Sequence, residues 1–193
     1  MSDLRQRNII AAKRMIQESA LRLFVAQGYG QTTVEQIAEA AEISPSTFFR
    51  YFKTKEAVVL YDSIDPLIIQ EFLKQPSNVP PIRAMRNAAK TLGVTLSVEQ
   101  QQLEMQRFAI LNSLPALRNR ALGDMVASID HFAITIAQRA DKDSNDIAVR
   151  NLAGAIVGAI AAVLLQAYKN PSIAIFESEM DAALARLEKG LDL

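Results

Sequence analysis

Residues 33–52 read TVEQIAEAAEISPSTFFRYF. Thr33 is a good N-cap residue, and Gln36 three positions on completes a capping-box spacing, so a short helix runs from Thr33 to about Ala41. Val34, Ile37, Ala38 and Ala41 fall on one face of it. Glu42-Ile43 makes a turn. Ser44 then caps a second helix whose first position is Pro45, where a missing N–H costs nothing. Phe48 and Phe52 share the inner face of that helix, and Ser46, Thr47, Phe49, Arg50 and Tyr51 fall on the outer one. An apolar inside with hydroxyls, a guanidinium and aromatics outside suits a helix lying in a DNA major groove. An ordinary helix–turn–helix pair of an all-α protein carries the same caps and spacing, so this segment alone leaves both readings open.

The flanks decide between them. A first helix, about Arg5 to Gln27, carries the stripe Ile16, Ala20, Leu23 and Phe24 and stops at Gly28. After Phe52 comes Lys53-Thr54-Lys55-Glu56, in which Thr54 caps the next helix and Lys55 joins its N-terminus as a phosphate clamp. With Ala20, Phe24, Gly28, Thr32-Thr33-Val34, Ile37-Ala38, Ala41, Ile43, Ser44, Thr47-Phe48, Tyr51-Phe52 and Lys55-Glu56 in one register, the first ~60 residues closely resemble the tetracycline-repressor (TetR) family of bacterial regulators. That resemblance implies an N-terminal three-helix helix-turn-helix domain, a homodimer on a double-stranded DNA operator, and a C-terminal domain that senses a ligand. It implies phosphate contacts for Thr32, Thr33 and Lys55, and DNA-facing positions at Ser46, Thr47, Phe49, Arg50 and Tyr51. Ser44 and Lys53 complete the expected DNA-binding set. Where many members have Tyr, this chain has Phe49, which cannot donate to phosphate and is left with sugar or a thymine methyl.

Composition is compatible. At 193 residues the chain accommodates one DNA-binding module, taken as residues 1–55, and one larger ligand-binding and dimerisation domain, 56–193. Lys plus Arg and Asp plus Glu both number 21, but unevenly: to residue 60 eight basic residues face six acidic ones, and beyond it thirteen face fifteen. The mild positive bias lies at the DNA-reading end. There is no cysteine and one histidine, His131, so disulfides, thiolate metal sites and His-based catalytic groups lack their parts; no cofactor, no metal and no enzymatic activity are expected. A polar N-terminus without a signal-peptide pattern, and a longest apolar run (Leu152 to Leu165) of fourteen residues, favour a cytoplasmic protein with no membrane partner.

Further along, all-α architecture with about nine helices is expected. A helix from Lys55 is kinked or broken at Asp65-Pro66, and Gln75 to Pro81 is a loop. Helices follow over about 82–92, 98–112 (capped by Ser97), 115–140, 147–168 and a last one through Leu187. The helix over 147–168 is apolar nearly all round and rich in small residues: Ala153, Gly154, Ala155, Gly158, Ala159, Ala161 and Ala162. A helix with apolar neighbours on every side needs more partners than one small domain supplies, which points to this helix and the last one as the dimer interface. The alternative is a central helix of a monomer.

Residues 107–118, RFAILNSLPALR, are similar to the start of the ligand domain in TetR-type regulators of acyl-CoA-like molecules. That likeness implies a small apolar ligand bound by Met105, Phe108, Leu111, Met125, Ile129 and Phe132; periodicity alone is equally satisfied by plain core at these positions and at Met85. Arg83, Arg86, Lys90 and Arg107 are either receptors for an anionic end or part of a solvated face, and His131 reads as exposed or dimer-facing. The expectation is a repressor released from a palindromic operator by its ligand; the alternative is a DNA-binding regulator governed by a partner protein or by no small molecule.

Overall fold

A computed structural model describes residues 2–167 and 172–190, all of whose regular structure is helical. Ten helices follow in order: α1 (Ser2–Gln27), α2 (Val34–Ala40), α3 (Pro45–Tyr51), α4 (Lys55–Leu60), α5 (Asp65–Lys74), α6 (Pro81–Thr95), α7 (Val98–Ser113), α8 (Pro115–Ala140), α9 (Ile147–Ala167) and α10 (Ile173–Lys189). The count exceeds nine because the helix from Lys55 does break. It stops at Leu60, and Pro66 sits in the first turn of α5, where its ring is tolerated. Residue 168, the expected end of the helix over 147–168, lies outside the described residues.

The chain divides into two compact units. The first comprises residues 1–63 and 102–118, that is α1 to α4, most of α7 and the start of α8. Ile16, Ala20, Leu21 and Phe24 of α1, Ile37 and Ala38 of α2, Phe48 and Phe52 around α3, and Val58 and Val59 of α4 are all buried there. On α1 the buried leucine is Leu21; Leu23 is only half-buried, because the stripe winds through positions 16, 17, 20, 21 and 24. Gln17 shares that stripe and is buried. Its amide donates to the carbonyls of Val58 (2.8 Å) and Tyr61 (2.7 Å), satisfying the C-terminal end of α4 from inside.

The second unit comprises residues 64–101 and 119–193. Its core joins Phe72, Ala84, Met85, Ala88, Phe132, Ile136, Val149, Ala153, Ile156, Val157 and Leu184. Arg139 fixes the α5–α6 loop: its guanidinium donates to the carbonyls of Gln75 (2.6 Å), Pro76 and Val79 (2.7 Å) and lies over the Phe72 ring. The stretch Ile147–Gln166 is long and apolar enough to cross a membrane, longer than the fourteen-residue run, and 33% of its most apolar window is buried. One side of α9 (Val149, Ala153, Ile156, Val157) belongs to the core of this unit, while Ile147, Gly158, Ala162 and Leu165 are exposed.

Candidate nucleic-acid interface

Local chemistry fixes α2 and α3 before any packing does. The Thr33 hydroxyl accepts from the Gln36 amide (3.3 Å) while the Gln36 side chain accepts from the Thr33 N–H (2.9 Å), a complete capping box. The far end of α2 closes as a Schellman motif, with the Ile43 N–H on the Ala38 carbonyl (2.9 Å) and the Glu42 N–H on the Glu39 carbonyl (3.0 Å). That motif needs a left-handed residue at its apex, and here the apex is Glu42, with φ 53°. Ser44 then caps α3, its hydroxyl accepting from the Thr47 N–H at 3.1 Å. The Ser44, Ser46 and Thr47 hydroxyls are linked at 2.8 and 3.0 Å, so three of the outward polar groups are oriented together.

Phe48 is fully buried and Phe52 nearly so, which turns the other side of α3 outward. Ser44, Ser46 and Arg50 are exposed, Phe49 is 43% exposed with its edge against Phe48, and Thr47 and Tyr51 are half-buried. The Arg50 guanidinium stacks over the Tyr51 ring at 5.2 Å, which restricts a long flexible side chain ahead of any contact. The exposed Lys53 donates to the Phe49 carbonyl at the end of α3 (3.4 Å), a cation where the helix dipole favours one.

The three residues for which phosphate contacts are expected differ in exposure. Thr33 is exposed, but Thr32 is 1% exposed; its hydroxyl donates to the Gly28 carbonyl (2.9 Å) and accepts from Gln27 (3.2 Å). Its side chain closes the α1–α2 turn rather than facing outward. Lys55 is half-buried and donates to the carbonyls of Tyr29 (2.9 Å) and Thr32 (3.1 Å) while lying over the Tyr29 ring. These two carbonyls occupy two of the three N–H donors of its ammonium. Beside it the Tyr29 hydroxyl donates to Glu56 (2.9 Å). Burial and that carboxylate push the Tyr29 hydroxyl well above its ordinary range. Burial acts to raise the Glu56 carboxyl, but hydrogen bonds from its own amide, Thr54 and Tyr29, with the Lys55 charge, outweigh it and hold it below the usual range. The α1–α2 turn is thereby tied to the first turn of α4.

The residues expected to line a ligand site fall in different units. Met105, Phe108 and Leu111 belong to the first, where Leu111 is buried and the Phe108 ring lies against the Arg107 guanidinium. Phe132 is in the core of the second unit, with Met125 and Ile129 packed against it, and Met85 is fully buried there. The four cations considered as receptors for an anionic end are engaged elsewhere. Arg83 and Arg86 pair with Glu188, Arg86 and Lys90 with Asp181, and Arg107 with Glu104 and Asp62. Arg86 holds both α10 carboxyls below their ordinary range. His131 is exposed. Sequence reasoning missed Gln17, Arg139 and the left-handed Glu42. Only Gln17 left a readable signal, a lone amide inside an apolar stripe.

A family model for the bacterial regulatory proteins of the tetR family matches residues 16–61, over α2, the turn and α3, and a model for the MftR C-terminal domain matches residues 79–192. The chain belongs to the TetR family. The HTH-type transcriptional regulator TcmR of Streptomyces glaucescens is 43% identical over 91 residues, 46% of this chain and 40% of its own length. The HTH-type transcriptional regulator RutR of Escherichia coli K12 is 30% identical over 143 residues, 69% of this chain and 64% of its own length. The chain thus spans less than two thirds of these two curated relatives. Among solved structures, Thermus thermophilus FadR, a TetR-family repressor in complex with lauroyl-CoA, shares the fold with a TM-score of 0.57 at 22% identity, over 94% of this chain and 95% of its own.

Proposed function

We propose that this TetR-family chain is a cytoplasmic, non-enzymatic, dimeric transcriptional regulator that represses by binding a palindromic operator. The observation that carries this is the face of α3: Ser44, Ser46, Phe49 and Arg50 point outward while Phe48 and Phe52 anchor the helix from within. Arg50 reads a guanine edge or backbone, Phe49 meets a thymine methyl or sugar, and the hydroxyls with Thr33, Tyr51, Lys53 and Lys55 set the register on phosphates. The open side of α9, with Gly158, Ala162 and Leu165, is the surface for a second copy, together with α10. Half-site centres then lie about one DNA turn, ~34–36 Å, or a multiple apart.

Release comes from a small apolar molecule that favours a state with wrongly spaced reading helices; the coupling is reciprocal, so operator also weakens its binding. FadR is named as a complex with lauroyl-CoA, which supports an acyl or similarly apolar ligand for this chain, with the Met125, Ile129 and Phe132 wall as its first candidate contact. The test is selection of bound DNA from a random pool, followed by a release screen of apolar compounds, with lauroyl-CoA included. Equal affinity for selected and random DNA overturns the reading.

A further inference from the structure

Arg107 is 2% exposed and lies in the unit that holds the DNA-reading helices, although it comes from α7, far along the chain. Its guanidinium meets Glu104 one turn back (2.8 Å), the Val59 carbonyl (3.3 Å) and the Asp62 carboxylate (3.3 Å). Glu104 in turn accepts from the Ser63 hydroxyl at 3.2 Å. From α1, Gln17 holds the carbonyls of Val58 and Tyr61. Residues 58, 59, 61, 62 and 63 are therefore all gripped by side chains from two other helices. The chain passes between its units after Ser63, after Gln101 and after Arg118. The Arg107–Glu104 cluster thus ties together the stretches just inside the first two crossings.

A buried ion pair adds little net stability over apolar residues of the same volume, but its geometry is specific. On the DNA-regulator reading above, we propose that Arg107, held by Glu104, is a positioning residue: it fixes the exit from α4 so that the two reading heads of a dimer meet their half-sites at one separation. This asks nothing of Arg107 toward DNA itself. It predicts that removing the pair as a unit relaxes spacing rather than affinity for a half-site.

The experiment uses the full-length protein and its selected operator, with the half-site spacing changed by one and two base pairs in either direction, plus a single half-site duplex. Affinities and melting temperatures are compared for wild type and for Glu104→Leu combined with Arg107→Met. Wild type should prefer one spacing sharply. The double variant should melt no lower, bind the half-site equally, and lose roughly ten-fold of its discrimination between spacings. Arg107→Lys keeps the charge but not the planar fork; it should broaden the profile in the same direction, and serves if the double variant does not fold. An unchanged spacing profile overturns the proposal, as does an equal loss of affinity at every spacing, which would make the pair merely structural. Selected DNA without paired half-sites removes the regulator reading itself, and this inference with it.

Discussion

Replacing Glu42 by glycine should stabilise the protein. Glu42 is the apex of the α2–α3 turn at φ 53°, a region in which a side chain with Cβ costs about 1–2 kcal/mol. Glycine removes that cost but gives back roughly 0.5–1 kcal/mol through its larger loss of backbone freedom. The glutamate charge adds little to the balance, since it follows the C-terminus of α2 and precedes the N-terminus of α3, whose dipole ends act on it in opposite senses. The net gain is then roughly 0.5–1 kcal/mol, or about 1–4 °C in melting temperature for a chain of this size. Asp141 ends α8 in the same left-handed conformation, φ 51°, with the Lys142 N–H on the Ala137 carbonyl. Aspartate tolerates that region better than glutamate, so Asp141→Gly should gain less. Glu42→Val should lose stability, because a β-branched residue fits that region worst. Differential scanning calorimetry on the three variants checks the order Glu42→Gly, Asp141→Gly, Glu42→Val. A Glu42→Gly protein that melts below wild type would refute the reasoning, and would mean that the Glu42 side chain contributes more than its backbone costs.

Lys55→Ala should cost about 1–2 kcal/mol through its two carbonyl contacts and lower the salt slope of DNA binding by about one; a slope unchanged in salt titrations would confine Lys55 to holding the α1–α2 turn. Gly158→Arg should give a monomer in sedimentation and loss of operator binding, whereas an unchanged dimer places the interface elsewhere. Arg86 holds Asp181 and Glu188 below their ordinary values, so its contribution is present above the unfolded carboxylate pKa values, about 4, and is lost as pH falls through the folded ones. The melting-temperature gap between wild type and Arg86→Leu should therefore be constant above about pH 5 and shrink on acidification; a gap independent of pH down to unfolding would count against it.

What the sequence disclosed was what neighbours in sequence decide. The α2 capping box, the Ser44-Pro45 start of α3 and the Phe48/Phe52 anchor each need only four or five residues, and each stands as expected. The same holds for Ser97, whose hydroxyl accepts from the Gln100 amide at 3.2 Å. What stayed hidden was long-range. Arg86 meets Glu188 across 102 positions and Arg107 meets Val59 across 48, so each could be read only as an unassigned cation. The family resemblance assigns Thr32 a phosphate contact beside Thr33; the burial of its side chain depends on Gly28 and Gln27 folding back over it. The six candidate ligand residues share helical spacing within α7 and α8, and spacing says nothing about which compact unit each helix segment joins.

The grip of Arg139 on the α5–α6 loop bears on how reporters can be built into this protein. A stretch with prolines at 76, 80 and 81 is where a fluorescent domain would ordinarily be inserted, since exposed polar loops tolerate extra chain. Here three of the carbonyls are held by one guanidinium that also rests on Phe72 of the core. A graft between Gln75 and Val79 would draw Arg139 off that ring and disturb the packing beneath it. The connection between α8 and α9 makes a better graft point. Asp141, Lys142, Asp143 and Asn145 are exposed there, the Lys142 N–H is held by the Ala137 carbonyl of α8 and the Asn145 N–H by the Asp143 carboxylate at 2.8 Å, and an added domain there leaves the loop clasp as it is.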